Sequence, residues 1–221
     1  MDQQAPQTEV KTPSPRQPFF VTVLEYLELF LLCLGAIMLV FSFGARLCTV
    51  SGDSMLPTLK DGQNLLVSNL FYRPEQGDIV IFHQTSNTVD RFNEPIVKRV
   101  IATEGQRVRI DFTDKTVSVD GKVLDEDYIQ LIDRFTGAPS GKYDTGSSNV
   151  DHHLSTVTDS DGTVHYVFEA TVPEGHLFVM GDNRNNSSDS RISAIGFVDE
   201  RRVLGRAIFR LTPISELGPL T

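Results

Sequence analysis

The sequence is poor in cysteine, in basic clusters, in metal-binding histidine patterns and, after residue 50, in amphipathic helices. Cysteine occurs twice, at Cys33 and Cys48. If the apolar segment holding the first is helical, about 22 Å separates the pair, too far for a disulfide. The globular part is therefore expected to contain none. No Lys/Arg-rich block interrupts a chain of formal net charge −9. A nucleic-acid binder normally carries a basic patch, so no nucleic-acid partner is expected, and the acidic balance argues only for solubility. The five histidines, His83, His152, His153, His165 and His176, form neither an HExxH nor a Cys/His pattern, so no zinc site is expected. Asp159-Ser160-Asp161-Gly162 opens like a calcium loop but lacks the remaining ligands of a twelve-residue one. It reads as a turn.

What is present begins with a polar stretch, 1–18, that contains Pro6, Pro13, Pro15 and Pro18. Its composition is that of a disordered tail. From Phe19 to Phe43 the chain turns apolar, with no charge after Glu28 until Arg46. About 20 residues, from Glu25 to Ala45, are enough to cross a bilayer as a helix. Glu25 and Glu28 would sit on one face at headgroup level. The run is long for a cleaved leader, a long tail precedes it and no small-x-small pair follows. Residues 19–46 are therefore read as a retained anchor in the lipid bilayer, and 47–221 as a separate domain. Lys11 and Arg16 precede the span while Arg46 and Lys60 follow it, so charge bias says little about orientation.

Beyond residue 50, short runs rich in Val, Ile and Phe alternate with turn signals. Strands are expected at Gln63–Ser68, Asp78–His83, Pro95–Thr103, Gln106–Phe112, Lys115–Val119, Thr163–Ala170, His176–Met180 and Arg201–Leu211. Asp120-Gly121 between two apolar runs predicts a type I′ hairpin. The domain is expected to be mostly β, of sandwich or barrel type. The stretch 134–162, full of Gly, Ser, Asp and Thr, is expected to be a loop-rich insertion.

Three segments bear chemistry. In Ser51-Gly52-Asp53-Ser54-Met55-Leu56-Pro57, Gly52 permits unusual backbone angles and Pro57 stiffens the chain just after Ser54. A hydroxyl on such a turn can be accompanied by N–H groups aimed at an oxyanion. An ordinary linker has the same composition, although it seldom ends in Met-Leu-Pro. In Ile96-Val97-Lys98-Arg99-Val100-Ile101, strand alternation sets Lys98 and Arg99 on opposite faces, each among apolar neighbours. Desolvation lowers a lysine pKa, and a fall of about 2–3 units makes the amine a base at neutral pH. Arg99 keeps its proton. A solvent-facing edge lysine is the other reading. The third segment, Gly181–Arg191, follows an apolar strand with eleven nearly all-polar residues. It suits a surface loop or a hydrogen-bonded scaffold beside a site, in which Ser187 could orient an amine and Asp189 could pair with Arg191 or Arg184.

Read in order, the anchor, Ser-Gly-Asp-Ser-Met-x-Pro-Thr-Leu, Gly77-Asp78-Ile79-Val80-Ile81-Phe82, Lys98-Arg99-Val100-Ile101 and Gly-Asp-Asn-Arg-x-Asn-Ser-x-Asp-Ser-Arg resemble the bacterial type I signal peptidases. The match runs from about residue 19 to 210 outside the insertion. The resemblance implies a fold of two antiparallel sheets, Ser54 as nucleophile, Lys98 as neutral general base and Ser187 as the serine that positions the lysine. It implies scaffold roles for Asp182, Asp189 and Arg191, and a substrate groove at Met55, Leu56 and Pro57. It further implies signal peptides of secreted preproteins as substrates, small residues one and three positions before the cut, no metal or cofactor, a monomer, and a domain on the extracytoplasmic face.

The chain departs from the family at three places. Gly52 stands where some members have a serine hydroxyl for the oxyanion, which leaves backbone N–H groups, that of Ser54 first. Ile192-Ser193-Ala194-Ile195 lengthen the loop before Gly196, and Ala102-Thr103-Glu104-Gly105 alters the turn after the lysine. Ser54 lies eight residues beyond Arg46, at most about 29 Å of extended chain, so a nucleophile there works close to the bilayer. Competing readings are a serine hydrolase whose base is His83 or His176, a self-cleaving repressor, and an anchored β domain without activity. The span, and the absence of a DNA-binding helix pair, argue against the repressor.

Overall fold

The computed structural model describes residues 19–84, 94–131, 136, 138–140 and 154–220. The expected tail 1–18 and the middle of the 134–162 insertion lie outside them. The chain divides into two units, 1–41 and 42–221.

The first unit consists mainly of helix α1, Phe19–Phe43. Apart from Glu25 and Glu28 its side chains are nearly all apolar, and large ones such as Phe30, Leu32 and Leu39 are exposed around it. A helix apolar all round needs an apolar environment. Phe19–Leu39 is long and apolar enough to cross a membrane, consistent with a single-pass membrane protein.

The second unit is mostly β. Its strands are β1 (Arg46–Thr49), β2 (Asn64–Ser68), β3 (Ile79–His83), β4 (Pro95–Ala102), β5 (Arg107–Asp111), β6 (Thr116–Val119), β7 (Lys122–Val123), β8 (Leu154–Thr158), β9 (Val164–Thr171), β10 (His176–Met180), β11 (Val198–Asp199), β12 (Val203–Arg210) and β13 (Gly218–Pro219). All pair antiparallel. One eight-stranded sheet runs β1-β2-β12-β3-β4-β10-β11, with β13 against β12, and a second of five runs β7-β6-β5-β9-β8. Inward residues of β4 and β10 (Ile101, Ala102, Phe178, Met180) pack with Val108, Ile110, Val117 and Phe168 of the second sheet. Two further clusters lie on the larger sheet. One gathers Val50, Met55, Leu59, Leu65 and Val97, and the other Val80, Phe82, Val100, Leu177 and Ile192.

The eight expected strands correspond to β2, β3, β4, β5, β6, β9, β10 and β12, within one or two residues at each end. Asp120 and Gly121 both take positive φ, 52° and 79°, as a type I′ turn requires. Four strands differ from expectation. Strand β8 falls in the stretch expected to be loop; all five of its residues are exposed, so no burial pattern marked it. Strands β11 and β13 are two residues each, too short for periodicity. The helix stops at Phe43, and Arg46, expected to close the anchor, already pairs with Val67 in β1.

Candidate active site

Three segments far apart in sequence converge at one side of the larger sheet. The turn that carries Ser54 is fixed at its ends by Val50 N–H to Gln63 O (2.8 Å) and Gly62 N–H to Val50 O (2.9 Å). Gly52 sits at φ 83°, a left-handed conformation that side chains resist, and its N–H is held by Asp61 Oδ1 at 2.7 Å. Met55 and Leu59 are fully buried and fasten the turn to the core. Ser54 is thereby lifted to the rim of a cleft of about 330 Å³ lined by Val50–Met55, Glu94–Lys98, Asn186 and Ser188.

Strand β4 supplies the lysine. Lys98 lies opposite Val80 of β3, between Ile96 and Val100 on its face, and is 3% exposed. Its Nζ is 2.6 Å from Ser54 Oγ and 2.9 Å from the Val97 carbonyl. Burial lowers its pKa to about 8, against the pull of the Asp189 and Asp182 carboxylates and with help from Arg191. Desolvation outweighs two nearby negative charges because an ammonium in a dry pocket loses its hydration.

The loop Gly181–Arg191 supplies the frame. Asn183 N–H donates to Ser54 O at 3.0 Å, and its Nδ2 to Asp53 O at 3.0 Å. Asp182, with no exposed surface, accepts Thr58 Oγ1 (2.5 Å) from the Ser54 turn and Arg99 Nε and NH2 (3.0 and 2.9 Å) from β4. A single carboxylate thus joins both reacting segments. Asp189 holds Arg191 through Nε and NH2 (both 2.8 Å) and accepts Gly181 N–H at 3.0 Å. Burial pushes its carboxyl up, but Arg191 and the Gly181 N–H outweigh this and keep it below the usual range. Arg191 in turn donates to Arg184 O at 2.7 Å. Gly181 is required by space: a methyl group there would lie 2.3 Å from Ser187 Oγ and 2.4 Å from Ser54 O.

The structure therefore brings together Ser54, Lys98, Asp182, Asp189 and Arg191, with Gly52 in the turn. Ser187 is buried beside Gly181, but its hydroxyl has no hydrogen bond of good geometry, to Lys98 or to any other described residue. Met55, expected in the groove, lies in the cleft lining but is fully buried. Leu56 and Pro57 are not in the cleft lining. Nor are His83 and His176. Sequence reasoning assigned no role to Thr58, Asn183 or Arg99, nor to Glu126, which pairs with Arg184. Their partners are remote in sequence, and only the polar density of 181–191 hinted at such a network.

A hydroxyl against a desolvated amine, beside an open cleft, is an arrangement suited to nucleophilic acyl transfer. The family model described as signal peptidase, peptidase S26, matches residues 23–212, and the chain belongs to that family. It is similar to signal peptidase IB of Staphylococcus aureus, 34% identical over 171 residues, which are 76% of this chain and 78% of the relative. It is also similar to the probable signal peptidase I-1 of Synechocystis sp., 32% identical over 214 residues, 94% and 90% of the two chains. A crystal structure of a signal peptidase I from Enterococcus faecalis shares 27% identity over 61% of this chain and 97% of that one, with a TM-score of 0.39.

Proposed function

We propose that this chain is a membrane-bound endopeptidase that removes N-terminal signal peptides from secreted preproteins after small-x-small sites. Ser54 is the nucleophile and Lys98 the general base. The observation that carries the reading is the 2.6 Å approach of Lys98 Nζ to Ser54 Oγ in a pocket that lowers the lysine pKa to about 8. About a tenth of the lysine is then neutral at pH 7, against less than one part in a thousand for a free side chain.

In the cycle, neutral Lys98 takes the Ser54 proton as Oγ attacks the scissile carbonyl. Negative charge develops on the carbonyl oxygen. Among the described residues no acceptor takes the Ser54 N–H, which leaves it available to that oxygen, and Gly52 N–H is committed to Asp61. Lys98, now charged, gives its proton to the leaving amine. Water then attacks the acyl-enzyme, with Lys98 again the base. Asp182, Asp189 and Arg191 keep the two segments in register, and Ser187 is proposed to guide the amine when the cleft is filled. The cycle uses no metal or cofactor. The tail is proposed to be cytoplasmic, 47–221 to face outward as a monomer, and cleavage to occur near the bilayer.

The test is incubation of the detergent-solubilised full chain with a preprotein whose leader ends Ala-x-Ala. Wild type is expected to cut at that site, and Ser54→Ala and Lys98→Ala to lose more than about a thousandfold in kcat. Activity that survived Lys98→Met and vanished on replacing His83 or His176 would favour a histidine base instead.

A further inference from the structure

A segment outside the signature motifs grips the catalytic frame. Residues 124–131 leave the second sheet, where Leu124 N–H still donates to Val117 O (2.8 Å), and Leu124 and Leu131 pack on the shared core. Between these two anchors the chain crosses the Gly181–Arg191 loop. Gln130 N–H donates to Asp182 O at 3.1 Å, and Gln130 bridges Asn183 in parallel. The Glu126 carboxylate, its side chain 7% exposed, clasps the fully buried Arg184 guanidinium with both oxygens. The Tyr128 ring lies 4.0 Å beneath the Arg99 guanidinium, and its hydroxyl donates to Glu126 Oε1 at 3.2 Å.

Each of these contacts leads through a short series of bonds to the Ser54 turn. Arg99 holds Asp182, which holds Thr58 of that turn. Arg184 Nε holds the Gly181 carbonyl, and Gly181 abuts Ser54 O. We infer that Glu126 and Tyr128 are positioning residues, which set the approach of Ser54 to Lys98 through Arg184 and Arg99. The inference rests on the serine–lysine reading above and extends it to the second sheet, whose strap becomes part of the catalytic frame. The chemistry has two parts. A buried guanidinium needs a buried carboxylate, and removing one partner strands the other's charge. A cation over an aromatic face is held in place and kept dry by it.

The experiment uses the full chain in detergent and the preprotein assay, with Lys98→Ala alongside. Glu126→Gln and Tyr128→Leu are each expected to lower kcat about tenfold or more with KM within about twofold, as misplacement of reacting groups does. Glu126→Asp and Tyr128→Phe are expected to retain most of the rate. In Glu126→Gln the acid limb of kcat/KM is expected to move to lower pH, because the Arg184 charge, no longer balanced, adds to Arg191 in disfavouring the proton on Lys98 against the pull of Asp182 and Asp189. A mere loss of folded protein would lower amplitude without moving that limb, and if Glu126→Gln does not fold, the Tyr128 pair decides. Wild-type kcat and an unmoved limb in both truncations overturn the inference alone. A wild type whose cleavage does not depend on Lys98 overturns the serine–lysine reading, and this inference with it.

Discussion

Lys98 carries a cost as well as its proposed part in the reaction. Its pKa falls from 10.5 to about 8 on burial, equivalent to roughly 3 kcal/mol of lost stability where both the folded and the unfolded lysine are charged. Below about pH 8 both states hold the proton and the penalty is complete. Between pH 8 and 10.5 the folded state has released it while the unfolded state has not, so stability rises with pH across that window. Lys98→Met is therefore expected to raise the thermal midpoint at pH 7 and to lose this advantage near pH 11, as calorimetry at the two values would reveal. On the proposed mechanism the same proton is expected to set an acid limb near pH 8 in kcat/KM, with activity falling on the acid side; a limb at pH 6 would point to a histidine. Gly181→Ala drives a methyl group into Ser187 and Ser54 O. It is expected to cost about a hundredfold or more in kcat, measured against the fraction folded.

At the scale of elements, the crowded pairing of β12 with β2 and the β8–β9 hairpin make opposite demands. Gly205, at φ 150°, leaves no room: a methyl group there would meet Ser68 O at 2.5 Å. Gly205→Ala is expected to lower the unfolding free energy of the larger sheet by about 2 kcal/mol or more, read by urea titration. The hairpin, by contrast, is held at its tip by charge. His165 of β9 lies 2.9 Å from Asp111 at the end of β5, with Asp159 at 3.2 Å and Asp114 at 3.7 Å, and Asp161 also acts on it. Burial works against the imidazolium, but these carboxylates prevail and raise its pKa. That stabilisation is complete below the unfolded value near 6.5 and fades as pH climbs through the folded one. The protection factors of amides in Leu154–Thr171, corrected for the intrinsic rise of exchange with pH, are expected to fall above neutrality, and His165→Gln to remove that fall.

These elements also mark how far the sequence could be read. The Asp120-Gly121 turn was legible because its backbone angles allow few residues. β4 was legible because Lys98 and Arg99 interrupt an apolar run on opposite faces. Strand β8 was not, since it is exposed on both sides and hides nothing that could leave a pattern. The Thr58–Asp182 bond spans 124 residues, and the Glu126–Arg184 pair joins the segment after β7 to the loop after β10. Local composition carries no trace of such partners, so the proposed serine and lysine stood out in the sequence and most of the bonds around them did not.

For the whole molecule, the unit 42–221 contains every group of the proposed site. A fragment beginning at Ser42 is expected to cut a soluble peptide as fast as the full chain. On a membrane-embedded precursor it is expected to be about tenfold slower or worse, since the anchor confines enzyme and substrate to one surface. A fragment beginning at Thr49 would lack most of β1, which pairs with β2 from Arg46 to Thr49, and is expected to show a lower denaturation midpoint. Equal rates for the Ser42 fragment and the full chain on embedded precursor would remove the anchor's proposed part in cleavage.

Strand β12 lies in the middle of its sheet, between β2 and β3, although it is among the last segments of the chain. Until it is made, β1 and β2 have nothing to join them to the strand that bears Lys98. In synthesis from the N-terminus the apolar span is therefore complete well before this sheet can close. About 150 further residues separate Ser54 from β12, so the proposed pair is expected to be set in place only late in folding.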